Sequence, residues 1–318
     1  MTGPSTEFRA LSAKLGSDPL QVQGPGGNTS IKDGNTMWIK ASGTELADAM
    51  DKPIFVAVDR AAAKAEAGGA GDGTCKATVL DPENTLRPSI ETTFHAALDW
   101  DVVAHTHSVA TLVHAISPEG RLAAQDKLQG LPAVMVPYAK PGLPLTAKIL
   151  AKVLPETQVI VLQNHGLICC GSSVEEVETL IAEVEARLMM PERPRVDLPN
   201  GPDHTGFDRI PESWMAFDPR IANLALAGSY YPDHVVFLGA ALPQADNDDA
   251  PPAILQPGAG VYLRHGATSS QVAMIRCLAD CLARLPKGWA VEAIGTEAEA
   301  ELLNWDAEKY RQALAARG

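Results

Sequence analysis

Two histidines stand two positions apart at His105-Thr106-His107. Residues Asp101 to His107 alternate Val103, His105 and His107 against Val102, Ala104 and Thr106, the period of a strand. Residues two apart in a strand project from one face, so both imidazoles can meet one ion. Imidazole nitrogen is the usual neutral ligand for zinc and related metals. An HxH triplet taken alone is more often incidental than metal-binding. A third histidine, His165, stands where the apolar run Val159 to Leu162 breaks at Asn164-His165-Gly166. For any one of these, a satisfied core histidine is the commoner reading. Together, three histidines leave tetrahedral zinc one open position, as catalytic sites require. Glu91 adds a carboxylate at the first turn of a helix, where the dipole and free N–H groups favour an anion. Its plain reading is a charge that suits a helix start. Close to the histidines, such a glutamate can fill the open position at rest and act as a base once substrate displaces it.

The remaining candidates are weaker. His95, four residues after Glu91, shares its helix face and reads as a packing or supporting histidine rather than a ligand. His114 lies on a helix after the His105 strand and reads as structural, while His204, His234 and His265 have no partner at ligand spacing. The Gly24 to Gly27 run is not GxGxxG, because Thr29 stands where the last glycine would be. Its backbone N–H groups can still cradle an anion with help from Asn28 and Ser30. A tight entry to a hairpin is an equal alternative. Cys277 and Cys281, one helical turn apart in an apolar stripe, read as core, as does the pair Cys169-Cys170.

These residues need elements to hold them. A first helix runs through Phe8, Leu11 and Leu15 to Gly16. The GPGGNTS bend leads through an Asp33-Gly34 turn into the strand Met37 to Lys40, a hairpin. Residues 65–73 (AEAGGAGDG) read as an exposed connector. Ser89 is expected to cap a helix through Phe94 and Leu98. A helix from about Thr146 to Leu154 precedes the buried strand Val159 to Leu162, and Leu167 to Cys170 resumes an extended segment. Ser173-x-x-Glu176 is a capping box opening an amphipathic helix through Leu188. Four prolines between Met190 and Asp203 mark a boundary. The division expected is residues 1–190, a proline-rich linker over 191–212, and a smaller α/β companion over 213–318. In the last part His234 to Leu238 and Gly258 to Leu263 read as strands, Ser270 to Leu285 as a helix, and the tail through Leu302, Trp305 and Tyr310 as helical. Strands and helices alternate in both parts, which gives α/β or α+β without fixing strand order.

The 318 residues carry 26 basic and 39 acidic side chains, a formal charge of −13. An acidic chain with no Lys/Arg run of five or more is a poor partner for nucleic acid or an anionic membrane. No apolar stretch approaches the 18 or so residues of a membrane span. The start lacks a basic segment followed by an apolar one. Five cysteines, with no CxxC, read as reduced structural thiols, so a cytoplasmic location is expected.

The segments GPGGNTSIKDGNTMWIKASGTELAD, RPSIETTFH, VVAHTHSVAT, VPYAKPGL and LQNHGLICCG occur in this order. Together they resemble the class II aldolase/adducin family, which includes fuculose- and rhamnulose-phosphate aldolases and ribulose-phosphate 4-epimerase, over roughly residues 5–190. The resemblance implies αβα layers around a central, mostly antiparallel sheet. It implies a divalent metal, usually zinc, on His105, His107 and His165, with Glu91 as the catalytic glutamate. It also implies that a substrate phosphate is held by Gly27 and Asn28, by Ser42 and Gly43, and by Ser89. Ile90 replaces the second serine of that last pair, and the tyrosine that the fuculose-phosphate enzyme takes from a neighbouring subunit has no match; Tyr138 belongs to the separate PYAKPG segment. Homotetramers are the family's usual assembly. YPDHVVFLGA, PGAGVYLRHGAT and LLNWDAEKYRQAL are similar to the segment after the aldolase domain in aldolase–dehydrogenase fusions related to rhamnose utilisation. With no GxGxxG, no bound nicotinamide is expected.

The expected function is thus a metal-dependent lyase that cleaves or forms a C–C bond of a hydroxylated carbonyl compound, a sugar or sugar-phosphate derivative. An epimerase, or a decarboxylase or dehydratase on the same metal, are the enzymatic rivals. A non-catalytic, adducin-like interaction module is the rival of another class, its mark being loss of the metal ligands.

Overall fold

The computed structural model describes residues 3–193, 198–199, 201–248 and 250–316. Pro194, residues 195–197 and residue 200 of the proline-rich segment, and Asp249 of the polar loop after Leu242, lie outside them. Among the described residues, seven strands form the main sheet: β1 (Asn28–Asp33), β2 (Thr36–Lys40), β3 (Phe55–Asp59), β4 (Val102–Thr106), β5 (Ala133–Val136), β6 (Val159–Leu162) and β7 (Gly166–Gly171). Their order is β3-β2-β1-β4-β7-β6-β5. Neighbours run antiparallel except β5 and β6. The β1–β2 hairpin turns at Gly34, whose φ of +58° lies in the left-handed region where a missing β-carbon removes the penalty.

Alternation along the strands sorts side chains to two faces. On one, Val102, Ala104, Val161 and Leu167 pack with Phe8, Leu11 and Leu15 of the Thr6–Ser17 helix and with Val177, Ile181, Val184 and Leu188 of the Val174–Leu188 helix. On the other, Val103, Ile160, Ile168 and Cys170 pack with Phe94 of the Thr92–Ala97 helix and with Leu145 and Ile149 of the Leu143–Leu150 helix. Helices therefore cover both faces of a mostly antiparallel sheet, the mixed α/β layering expected. Each fully buried Leu, Ile, Val or Phe in these layers contributes roughly 1.5–3 kcal/mol.

Register decides where the chemistry gathers. Asn28 at the start of β1 lies opposite His105, Thr106 lies opposite Leu167, and Leu162 faces Gly166 across the turn that carries His165. The start of β1, the end of β4 and the β6–β7 turn thus meet at one end of the sheet.

The later residues form a smaller antiparallel sheet, β8 (Phe207–Arg209), β9 (Ala253–Gln256) and β10 (Gly260–Arg264), in the order β8-β10-β9. Their core, with Met215, Ile221, Phe237, Leu255, Met274, Leu278 and Leu282, continues into Val109, Leu112, Val113 and Ile116 of the first part.

Three expectations change. His234 to Leu238 is not a strand: Pro232–Leu238 is a helix that Pro232 opens and Gly239, at φ +90°, closes. Every one of its residues is buried, so packing overrides the β preference of the Val-Val-Phe run. Ser89 does not cap the Thr92–Ala97 helix directly. Its hydroxyl accepts from the Glu91 N–H at 3.2 Å and its carbonyl from the Thr92 N–H at 3.1 Å, so a turn precedes the helix and Glu91 occupies the cap position. The connector expected from residue 65 starts later, since the Arg60–Ala67 helix includes its first three residues.

Candidate active site

His105 is the last residue but one of β4 and His107 follows just past its end, while His165 sits in the β6–β7 turn. One ring nitrogen from each of the three falls within 4.8 Å of the others, and all three side chains are buried. Two backbone features allow the approach. Gly27 has φ +57°, and a β-carbon there would stand 2.8 Å from the His105 carbonyl oxygen. A β-carbon on Gly166 would stand 2.3 Å from the Thr106 carbonyl oxygen.

Two of the rings, His105 and His165, are prepared as neutral donors of lone pairs. The Leu167 carbonyl can only accept, so His105 donates through Nδ1 at 3.0 Å and keeps a bare Nε2. That Nε2 has no hydrogen-bond partner among the described residues, and neither has Nδ1 of His165. Burial pushes His105 below the ordinary histidine range and His165 down to about 3, which keeps both uncharged at neutral pH. Buried, neutral imidazoles with unmet nitrogen lone pairs fit a divalent cation, and the donor set suits zinc.

Glu91 lies across this cluster, Oε2 at 3.5 Å from His105 Nε2 and Oε1 at 3.6 Å from His165 Nε2. Burial alone would raise its pKa. The facing His105 and His165, then the Asn28 hydrogen bond, outweigh burial and hold the carboxyl at about 2. Asn28 donates to Glu91 Oε2 at 2.8 Å and to Ser89 Oγ at 3.1 Å. Behind it stands His95, whose Nε2 meets Asn28 Oδ1 and whose Nδ1 lies 2.8 Å from Ser30 Oγ. Burial keeps His95 neutral, so Nε2 donates to the amide oxygen and Nδ1 accepts from the serine. His95 is therefore a supporting histidine, as its helix position suggested. His114, by contrast, hydrogen-bonds the Ala110 carbonyl and packs on Trp289, away from the site.

The phosphate candidates converge as well. Residues 87–89 run beside 40–42, with Ser42 N–H donating to Arg87 O at 2.8 Å and Ser89 N–H to Lys40 O at 3.1 Å. Gly27, Asn28, Ser42, Gly43 and Ser89 consequently line one cavity with Glu91, His107 and His165. Thr29, which broke the glycine fingerprint, instead bonds Ser12 of the first helix at 2.7 Å.

Three residues of this cavity had no assigned role in the sequence. Lys40 is buried, donates to the Pro25 carbonyl at 2.9 Å, and is lowered to about 7 by burial and then by the Arg311 cation. Asp233 and Arg311 reach in from the later residues. Leu314 covers Gly43 of that set: a β-carbon there would stand 2.4 Å from its Cδ1. The free volume left is about 30 Å³, room for a water or two. Ile90 and Pro141 separate it from a broad surface cleft lined by Arg87, Lys140, Trp305 and Tyr310.

The chain is similar to known proteins. The model of the class II aldolase and adducin N-terminal domain matches residues 8–190. An uncharacterized oxidoreductase, YuxG of Bacillus subtilis strain 168, is 30% identical over 178 residues, 51% of this chain and 25% of that protein. The L-fuculose phosphate aldolase of Methanocaldococcus jannaschii is 25% identical over 193 residues, 58% of this chain and 94% of the relative. The chain therefore spans a quarter of the first relative's length and nearly all of the second's. Among solved structures, the N-terminal class II aldolase domain of a conserved protein from Thermoplasma acidophilum aligns with a TM-score of 0.52 and 27% identity, over 59% of this chain and 94% of that one. With the fold, the three histidines and the family match over residues 8–190 in agreement, the chain belongs to the class II aldolase and adducin N-terminal domain family.

Proposed function

We propose that the protein is a metal-dependent aldolase-type lyase acting on a small hydroxylated carbonyl compound, a sugar or sugar-phosphate derivative. The observation that carries this reading is the buried Glu91 carboxyl group set 3.5–3.6 Å from two imidazoles of the histidine cluster. His105, His107 and His165 would hold a divalent ion, zinc by donor type, which when bound supplies Lewis-acid polarisation of a carbonyl oxygen. Glu91, in its proton-accepting form, takes a proton from the carbon beside that carbonyl in C–C bond formation and returns it in cleavage. Asn28 holds one carboxylate oxygen still at 2.8 Å, which leaves Oε1 for the proton. Asn28, Ser42, Gly43 and Ser89, with the buried Lys40 beside them, supply the donors that suit an anionic substrate end.

The test is cleavage of ketose 1-phosphates, L-fuculose 1-phosphate first, by zinc-reconstituted protein. Glu91→Gln removes the proton acceptor without changing size and is expected to lower kcat by about 10²–10⁴-fold with the metal still bound. Equal cleavage by wild type and Glu91→Gln would sink the assignment.

A further inference from the structure

The histidine cluster has a partner outside residues 8–190. Asp233 sits in the first turn of the Pro232–Leu238 helix, and its Oδ2 lies 3.3 Å from Nδ1 of His107. The carboxylate is clamped from behind. Arg311 of the Asp306–Ala315 helix donates through Nη1 to Oδ1 at 2.9 Å and through Nη2 to Oδ2 at 3.1 Å, a bidentate pair. Glu308, one turn earlier, accepts from the same Nη1 at 2.9 Å. Asp233, Arg311 and Glu308 are all buried. On the opposite flank, a β-carbon on Gly26 would stand 2.8 Å from His107 Nδ1 and 2.9 Å from Asp233 Oδ2. The glycine bend passes this pair because position 26 has no side chain.

We propose that Asp233 is a positioning residue of the metal site: it takes the Nδ1 proton of His107 as a hydrogen bond and so turns the Nε2 lone pair toward His105 and His165. Arg311 fixes the carboxylate in that place. The proposal rests on the three-histidine metal reading above. An imidazole can carry its proton on either nitrogen, and the group beside one nitrogen decides which is left to bind a metal. His105 has its Nδ1 settled by the Leu167 carbonyl from within the sheet. His107 lies past the end of its strand, and the acceptor at its Nδ1 is Asp233. Metal-bound histidines are commonly oriented by a carboxylate or a carbonyl in this way, and the carboxylate also strengthens the ligand. The first part thus supplies the three imidazoles, and the later residues supply the anchor for one of them.

A plain structural role makes a different forecast. If Asp233 and Arg311 only fasten two helices, losing the carboxylate lowers stability but leaves the metal affinity of the folded protein unchanged. The experiment titrates chelator-stripped full-length protein with Co2+, read by visible absorption and by competition with a chelator of known affinity. Asp233→Asn exchanges an accepting oxygen for an amide. Gly26→Ala drives a methyl against both groups from the other side while Asp233, Arg311 and Glu308 all keep their side chains. Glu308→Gln removes a buried charge behind Arg311 and keeps an accepting oxygen, with both Arg311 hydrogen bonds to Asp233 and the His107 contact left in place. Asp233→Asn and Gly26→Ala are expected to bind Co2+ about 10–100-fold more weakly, with altered cobalt absorption, while Glu308→Gln stays within about threefold of wild type. Should Asp233→Asn not fold, Gly26→Ala carries the test. Wild-type affinity in the folded variants, or a loss in Glu308→Gln as large as in Asp233→Asn, overturns the proposal. Failure of wild type itself to take up Co2+ overturns the metal reading beneath it, a separate result.

Discussion

Glu91 is held in place in a buried site because a line of side chains stands behind it: Ser30 to His95, His95 to Asn28, Asn28 to Glu91. Each link fixes the donor and acceptor roles of the next, so the carboxylate has one resting orientation. Asn28→Ala cuts the line at its last link and frees Glu91 Oε2. Its kcat/KM is expected to fall by up to about 100-fold, since small displacements of a reacting group are costly. Steady-state kinetics check this, and unchanged kinetics would show that the orientation of Glu91 does not matter. Ile90 offers the opposite change. It lines both the cavity and the surface cleft. Ile90→Ser adds a donor beside Ser89 and widens the passage, so KM for a phosphorylated substrate is expected to fall about tenfold, the scale of one hydrogen bond to a charged group. A KM that rises or stays constant would argue against a phosphate at this end.

Among the elements, the β6–β7 turn deserves the closest test, because it holds His165 by unusual means. Asn164 adopts φ +53°, and its amide donates to the Tyr230 carbonyl at 3.0 Å and the Glu292 carbonyl at 2.8 Å. Asn164→Gly keeps the backbone angle and loses the two hydrogen bonds. Asn164→Ala loses both the bonds and the ease of a positive φ, at roughly 1–2 kcal/mol more. Thermal denaturation should rank them wild type, Gly, Ala, and equal melting of Gly and Ala would mean the angle carries no strain. The sequence showed the break at Asn164-His165-Gly166 and the strands around it, because an apolar run and its interruption are local signals. Nothing local shows that the asparagine reaches residues 230 and 292. The same limit hid Asp233 and Arg311: YPDH and EKYRQAL are ordinary helix segments until the chain folds back. His105, His107, His165 and Glu91 are legible as candidates because three of the four lie on or beside strands marked by alternation or by an interrupted apolar run. The sequence of the Pro232–Leu238 helix points to a strand because a Val-Val-Phe run favours one until its surroundings are known.

At the scale of the molecule, the core of the later residues runs into the Val109–Ala115 helix, so the histidine end of the sheet is covered from outside the family domain. Among the described residues, no helix is long and apolar enough to cross a membrane. Burial also ties stability to pH. His114 and His234 are each lowered by burial to about 4, against about 6.5 in an unfolded chain. Above pH 6.5 both states are neutral at these positions. Between pH 6.5 and 4 the unfolded chain takes up protons that the folded one refuses, so each histidine removes up to about 3 kcal/mol as pH falls. His234 packs against the Tyr231 ring, and neither of its ring nitrogens has a hydrogen-bond partner among the described residues. His234→Phe should therefore melt at or above wild type at neutral pH and lose less stability in acid. Parallel acid curves for the two proteins would contradict this. The central claim, that three imidazoles converge on one divalent ion, is tested most directly by metal content. Protein purified without chelators, and the His105→Ala/His107→Ala double variant, would be compared by mass spectrometry. About one zinc or similar ion per chain in wild type and none in the variant is the result predicted. Wild-type protein that holds no ion even after reconstitution would contradict it.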